Sequence, residues 1–368
     1  MQTRSDTQII CDRSALHRIP ELDKDLPETL AYLKQALAGL NCEIFEPMSN
    51  ALCAWFDFGA DHTIAFRSDM DALPVAERTG ADFASCHPGR MHACGHDGHM
   101  AILLETARRL SAAKHMPNNI LLVFQPAEET TGGARDLCET GVFQKYGTEA
   151  IFGLHLWPGL APGTVWSRRQ ELMARSCEVN IDIFGRSAHI AKASEGLDAL
   201  AAAAEFYRRS CDMEAALPAG VYRLLKFGRM EAGTVRNALA EHARLEGSLR
   251  AFQDDIYLSM RSGLLRIAEE LQGSTGCRIE VNMNDGYPAV MNPDGLYDRV
   301  RSAVAFGELP EPSMTAEDFS WYQKYLPGMF FFLGIGSTPP LHADNFNFDE
   351  TALLKGADLY MNIAEALK

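Results

Sequence analysis

The chain has no apolar run approaching the ~20 residues needed to cross a bilayer. Its first residues, Met1-Gln-Thr-Arg-Ser-Asp-Thr-Gln, lack the basic-then-apolar pattern of a secretory signal. Basic residues are in deficit: 34 Lys and Arg stand against 49 Asp and Glu, a formal charge of −15. That balance argues against nucleic acid and against anionic membrane as partners. The nine cysteines are an odd count without a disulfide-like rhythm, so free thiols in a reducing cytoplasm are expected. No internal repeat or low-complexity tract is visible. What remains is an ordinary soluble composition, 47% apolar and 23% charged, in 368 residues. That length exceeds a comfortable single core, so two domains are expected.

The most informative stretch is Met91-His-Ala-Cys-Gly-His-Asp-Gly-His99, which places three His, one Cys and one Asp within nine residues. Thiolate and imidazole suit zinc and its first-row neighbours. Two further islands reinforce Cys94 and His96: Gln125-Pro-Ala-Glu128-Glu129, and Gly153-Leu-His155-Leu-Trp-Pro158. Each follows a strand-like run. Thr63-Ile-Ala-Phe66 leads to Asp69 and Asp71, Asn119 to Phe124 leads to Glu128 and Glu129, and Glu149 to Phe152 leads to His155. Helical spacing is read over about Ser14 to Leu40 and over Gly98 to Ala113. Pro327 to Gly334 reads as a buried strand followed closely by Pro340-Leu-His342. Strand, site residue and helix in repetition predict an α/β sheet with its site at the carboxyl ends of the strands.

Between these parts the pattern changes. Cys177 to Phe184, Tyr222 to Met230, Glu241 to Phe252 and Cys277 to Met283 alternate as half-exposed strands, with helices at Gly196–Cys211 and about Asp254–Leu271. The order βαββαβ predicts a ferredoxin-like α+β insert. The expected division is 1–174 with 285–368 as a metal-binding catalytic domain, and 175–284 as an inserted dimerisation or lid domain.

Taken in order, Asp69-Met-Asp-Ala-Leu-Pro74, the nine-residue cluster, Phe124-Gln-Pro-Ala-Glu-Glu129, Gly153 to Pro158 and Pro340-Leu-His342 resemble the M20 metallopeptidase superfamily in its amidohydrolase branch. That branch holds N-acyl-amino-acid, hippurate and indole-acetyl-amino-acid hydrolases. The resemblance runs over nearly the whole chain from His17-Arg-Ile-Pro-Glu-Leu22. It implies two divalent ions (Zn, Mn, Co or Ni) held by Cys94, His96, Glu129, His155 and His342, with Glu128 as general base. It implies that Asp71 orients a metal-bound imidazole. His189, in Gly185-Arg-Ser-Ala-His189, would contact the scissile carbonyl, often from a partner subunit, and Asn237 and Arg250 would contact substrate. His92 and His99 are assigned no ligand role. Asp69 stands where the wider superfamily has a ligand His, and Cys94 where it has a bridging Asp; both departures are those of the amidohydrolase branch. A Pro common after the His is absent here, in Ile190-Ala-Lys192-Ala-Ser194-Glu195.

The expected activity is metal-dependent hydrolysis of the amide of a small N-acyl amino acid by a cytoplasmic homodimer. N-acetyl-diaminopimelate deacetylation is the alternative within this chemistry. A cysteine-nucleophile hydrolase using Cys94, or a catalytically inactive metal-binding protein, are the alternatives outside it.

Overall fold

A computed structural model describes residues 4–367. The chain forms two compact units. One comprises residues up to 172, 291–311 and from 318 onward; the other comprises 173–290 and 312–317.

The first unit is built on an eight-stranded mixed sheet. Its centre is Thr63–Asp69, flanked in parallel by Asn119–Gln125 and Thr148–Trp157, with Gly328–Gly334 parallel to the latter. Leu52–Phe56 with Glu43–Phe45, and Val165–Ser167 with Gly307–Glu308, extend it to either side. Thr63–Asp69, Asn119–Gln125 and Gly328–Gly334 are buried along their whole length, as expected of a parallel sheet covered on both faces. Their apolar runs explain this: Ile64, Phe66, Ile120, Leu122, Phe124, Met329 and Phe331 share one core with the helices Pro27–Leu37, His96–Ala112 and Leu353–Ala366. Because the central strands run in parallel, their carboxyl ends coincide. Asp69 pairs with Gln125, and His155 with Phe332.

Two sequence readings change here. The helical spacing assigned to about 14–40 belongs to two helices, Arg4–His17 and Pro27–Leu37. Pro20 disfavours helix for the residue before it, and Pro27 opens the second helix, where a missing N–H costs nothing. His155 lies within Thr148–Trp157 rather than after the strand, and His96 is the first residue of its helix.

The second unit is a four-stranded antiparallel sheet in the order Arg278–Met283, Arg175–Phe184, His242–Ala251, Arg223–Ala232. The helices Ala199–Ala215 and Asp254–Thr275 share its core through Phe206, Tyr257 and Leu264. Asp198 caps the first of them, accepting from the Ala201 amide at 3.1 Å. In chain order this is βαββαβ, so the protein joins a mixed α/β sheet to a ferredoxin-like α+β unit. Among the described residues no helix is long and apolar enough to cross a membrane.

Gly98 lets the helix His96–Ala112 sit close on its neighbours. A Cβ there would lie 2.7 Å from Leu156 Cδ1, 3.0 Å from Phe348 Cζ and 3.1 Å from Leu353 Cδ2. These contacts come from three different segments, so no single rotation relieves them. Gly98→Ala is expected to cost about 1–3 kcal/mol through overpacking, read as a lower urea midpoint with an unchanged slope. An unchanged midpoint would show that the helix shifts freely.

Candidate metal centre

The site grows from the carboxyl ends of the central strands. The loop leading to the helix His96–Ala112 turns through Gly95 at φ +86°, in the left-handed region that glycine enters without strain. Cys94 precedes that turn and His96 follows it. Ala127 and His342 enter the same region, at φ +60° and +67°, with side chains. Such conformations cost of order 1–3 kcal/mol each and persist only where surrounding contacts impose them.

For Ala127 the imposing contact is Asp71. Its two carboxylate oxygens accept the amides of Glu128 at 2.9 Å and Glu129 at 3.0 Å. Asp71 was expected to orient an imidazole. Its Oδ1 does lie 3.8 Å from His96 Nδ1, but its hydrogen bonds go to the turn that presents the two glutamates.

Cys94 is the meeting point. Its Sγ lies 3.3 Å from His155 Nε2 and 3.3 Å from His342 Nε2. Glu129 Oε1 lies 3.4 Å from His342 Nε2 and 3.8 Å from His96 Nε2. Two sets of donors, Cys94 with His96 and His155, and Cys94 with Glu129 and His342, each gather within 4.8 Å and share the sulfur. Glu128 gathers likewise with His96 and Glu129. The His342 side chain is 54% exposed while that of His96 is fully buried, so the cluster opens to solvent on the His342 side.

Hydrogen bonds decide which histidines keep a nitrogen for an ion. His155 Nδ1 donates to the Leu156 carbonyl at 2.7 Å, which leaves Nε2 as a free lone pair toward Cys94. His99 Nε2 accepts from the Leu156 amide at 3.0 Å, so its Nδ1 donates to Asp69 at 2.7 Å and no ring nitrogen remains for an ion. His92 is buried with both ring nitrogens unbonded within the protein, and burial pushes its pKa down to about 3.

The residues present fit a cation. Among the described residues, both ring nitrogens of His96 and Oε1 of Glu129 are buried without a hydrogen-bond partner, which costs free energy unless something else is bound. The field is negative. Burial opposes a charge on His96, yet Asp69, Asp71 and Glu129 outweigh it and raise its pKa to about 10. Burial, then Glu129 and Glu128, push the Cys94 thiol well up. Burial, helped by the nearby His99 and His96, takes His155 down to about 3. Burial opposes the charge on Glu129, but His342 and His96 hold it below the usual carboxylate range. Thiolate, imidazole and one carboxylate are donors for Zn, Mn, Co or Ni.

Several residues of this centre were not singled out from sequence. Arg67 donates to Gln125 at 2.9 Å, Asp69 at 3.0 Å and Asp318 at 2.8 Å, all buried. The available signal was an arginine directly after the apolar Ile64-Ala-Phe66 in a buried strand, where a charge must find carboxylates. Arg13 and His17 reach Asp97 from the first helix at 2.9 and 2.7 Å.

His189, Asn237 and Arg250 belong to the second unit. His189 and Asn237 lie together: the Ile190 amide donates to the Asn237 carbonyl, and His189 bridges to Ala238. Both are exposed. His189 Nδ1 accepts from the Ala191 amide at 3.2 Å, so the neutral ring carries its proton on Nε2. Arg250 is half-buried at the other end of His242–Ala251, paired in register with Ser176, and donates to Ser248 Oγ at 3.0 Å.

The family model for Peptidase family M20/M25/M40 matches residues 65–366. An uncharacterized hydrolase of Staphylococcus aureus (strain USA300) is 32% identical, covering 97% of each chain. A structure from methicillin-resistant Staphylococcus aureus superposes with a TM-score of 0.90 at 27% identity, over 99% of this chain and 97% of that one. Bacillus subtilis YxeP, described as a dinuclear metal binding peptidase from the M20 family, gives 0.85 at 30% identity over 98% and 97%.

The pKa pattern fixes a sign for ion uptake. At pH 7 the metal-free chain carries a proton on His96 and on Cys94, whereas His155 is already neutral. Coordination requires the deprotonated donors, so uptake at pH 7 releases protons and apparent affinity rises with pH toward about 10. Calorimetric titration of zinc in buffers of different ionisation enthalpy checks this. Heats independent of buffer would contradict it.

Proposed function

Because the chain belongs to the peptidase family M20/M25/M40 and is a hydrolase of that family, we propose that it hydrolyses the amide of a small N-acyl amino acid at a pair of divalent ions. The observation that carries the proposal is the sulfur of Cys94 shared between two donor sets. Cys94, His96 and His155 would hold one ion; Cys94, Glu129 and His342 would hold the other. When bound, such ions supply Lewis acidity to an amide carbonyl and lower the pKa of water at the site.

The chain's own residues supply the rest. Glu128 accepts a proton from the attacking water and returns it to the amide nitrogen as the C–N bond breaks. Asp71 sets the direction of both glutamates by holding their amides, so that one faces the ion site and its neighbour the water. His189, with its proton on Nε2, is a donor for the carbonyl oxygen as charge develops there. Arg250 matches a substrate carboxylate. A thiol nucleophile is the poorer reading, because burial and two glutamates raise the pKa of Cys94, the reverse of what activation requires.

The second unit bears on assembly. Arg250 is the ninth residue of the ten-residue strand His242–Ala251, whereas His189 and Asn237 pair with each other's segments ahead of its first residue. The strand from His242 to Arg250 spans roughly 26 Å at ~3.3 Å per residue. A small substrate does not span that distance. In this reading the two groups serve different sites, with His189 and Asn237 acting on the site of a second copy in a homodimer.

Glu128→Gln is expected to keep its metal and lose about 10²–10⁴-fold in kcat. Elemental analysis and turnover, measured over a panel of N-acetyl, N-benzoyl and longer N-acyl amino acids that includes N-acetyl-diaminopimelate, test both role and substrate. Loss of metal from this variant would reassign Glu128 as a ligand. For assembly, a His189→Ala chain mixed with a Glu128→Ala chain should regain part of the activity through hybrid dimers. No recovery despite proven subunit exchange would place His189 in its own subunit's site, or in none.

A further inference from the structure

We infer that Arg13 is a positioning residue that couples the two halves of the ligand set, so that closure of the His342 side around an ion depends on a side chain that touches no ligand. The inference rests on the reading of this cluster as a metal centre.

Arg13 and His17 stand one turn apart on the helix Arg4–His17 and present one face. Arg13 Nε donates to Asp97 Oδ2 at 2.9 Å, and His17 Nδ1 donates to the same oxygen at 2.7 Å. Asp97 follows His96 directly, and its other oxygen accepts the Gly98 amide at 2.9 Å. This end of the guanidinium therefore fixes the turn that carries Cys94 and His96.

The other two nitrogens point elsewhere. Nη1 donates to Glu350 Oε1 at 2.9 Å and Nη2 to Asn347 Oδ1 at 3.0 Å. These residues end the loop that begins at His342. The start of that loop is tied to the same turn, because the His342 amide donates to the Ala93 carbonyl at 2.8 Å. Phe83 and Phe348 hold the guanidinium at 4.5 and 4.6 Å from their ring centroids. One fully buried planar cation thus fastens the far end of the loop 342–350 to the Cys94–His96 turn, and His342, with its positive φ, is the near fastening.

This arrangement suits arginine alone. A lysine supplies one compact charge and cannot donate along three directions from one plane. A partner bonded directly to a ligand typically changes metal affinity by about 10–100-fold. Arg13 acts through Asp97, beside His96, and through the loop of His342, and the same range is expected of it. The His342 side is exposed and strained, whereas His96 and His155 are buried, so the loss should fall on the ion that His342 completes.

The test uses the full chain loaded with cobalt(II), followed by its thiolate-to-cobalt absorption while a competing chelator is added. In Arg13→Lys, one class of ion should leave at about 10–100-fold lower chelator concentration, with the near-ultraviolet circular dichroism of the wild type retained. His342→Ala should then cost less in the Arg13→Lys chain than in the wild type, because both changes act on the same ion. A purely structural role would leave the two effects additive. An unchanged release curve, or additive effects, overturns the inference. If Arg13→Lys does not fold, the double variant Asn347→Ala/Glu350→Gln carries the test, since it leaves the bond to Asp97 in place. Wild-type chain that takes up no cobalt would overturn the metal reading itself, whereas normal uptake with unchanged release would overturn only the role of Arg13.

Discussion

The metal-site half of the molecule depends on one buried cation, Arg67. Acidic groups crowd the carboxyl ends of the central strands: Asp69, Asp71, Glu128, Glu129 and Asp318 all converge there. Burying such charges unpaired costs several kcal/mol each. The guanidinium of Arg67 offsets this for two of them, donating to Asp69 and Asp318, and uses its remaining direction on Gln125. Gln125 and the Ala134 amide in turn donate to Asp318, and Tyr322 donates to Gln125. Asp69, held well below the usual carboxylate range by His96, His99 and Arg67 against the penalty of burial, then fixes His99. His99 fixes the Leu156 amide beside His155. The order of the donors is inherited from a buried charge that is not itself among them.

The acids in this cluster differ by what they bond rather than by type. Asp69 bonds a guanidinium and an imidazole, Asp71 bonds two amides, and Glu129 faces imidazoles. Each orientation is set before any ligand arrives, which is the condition for a site that spends no free energy on rearrangement during reaction.

Much of this was legible in the chain because its signals were local. Buried strands such as Asn119–Gln125 declare themselves as apolar runs, and the antiparallel strands of the second unit by alternation. Cys94 and His96 stand out as a dense His/Cys cluster and Glu129 and His155 as islands beside apolar runs, the resemblance added His342 to the set, and the structure brings these five together. Arg67, Asp318, Arg13 and Asp97 stayed hidden for the opposite reason. Their partners lie far away in sequence, as with Arg67 and Asp318 or Arg13 and Glu350, and a lone arginine within a strand or helix is ordinary until its partner is seen. The break between the first two helices needed Pro20 and Pro27 to be weighed above the leucine spacing. Asp71 was found, but its hydrogen bonds to two amides depend on a backbone turn at Ala127 that no side-chain pattern announces.

The strand Gly328–Gly334 lies inside the first unit's sheet, between Thr148–Trp157 and Val165–Ser167, although the whole second unit is encoded before it. Chains emerge from the ribosome from the amino end, and domains fold as their parts become available. A nascent chain therefore presents Cys94, His96, Glu129 and His155 beside an open gap in the sheet. The gap closes only when Gly328–Gly334 and the loop bearing His342 arrive, after the second unit has been made. Of the two proposed donor sets, Cys94 with His96 and His155 is thus encoded before the second unit, whereas the set of Cys94, Glu129 and His342 is completed only after it.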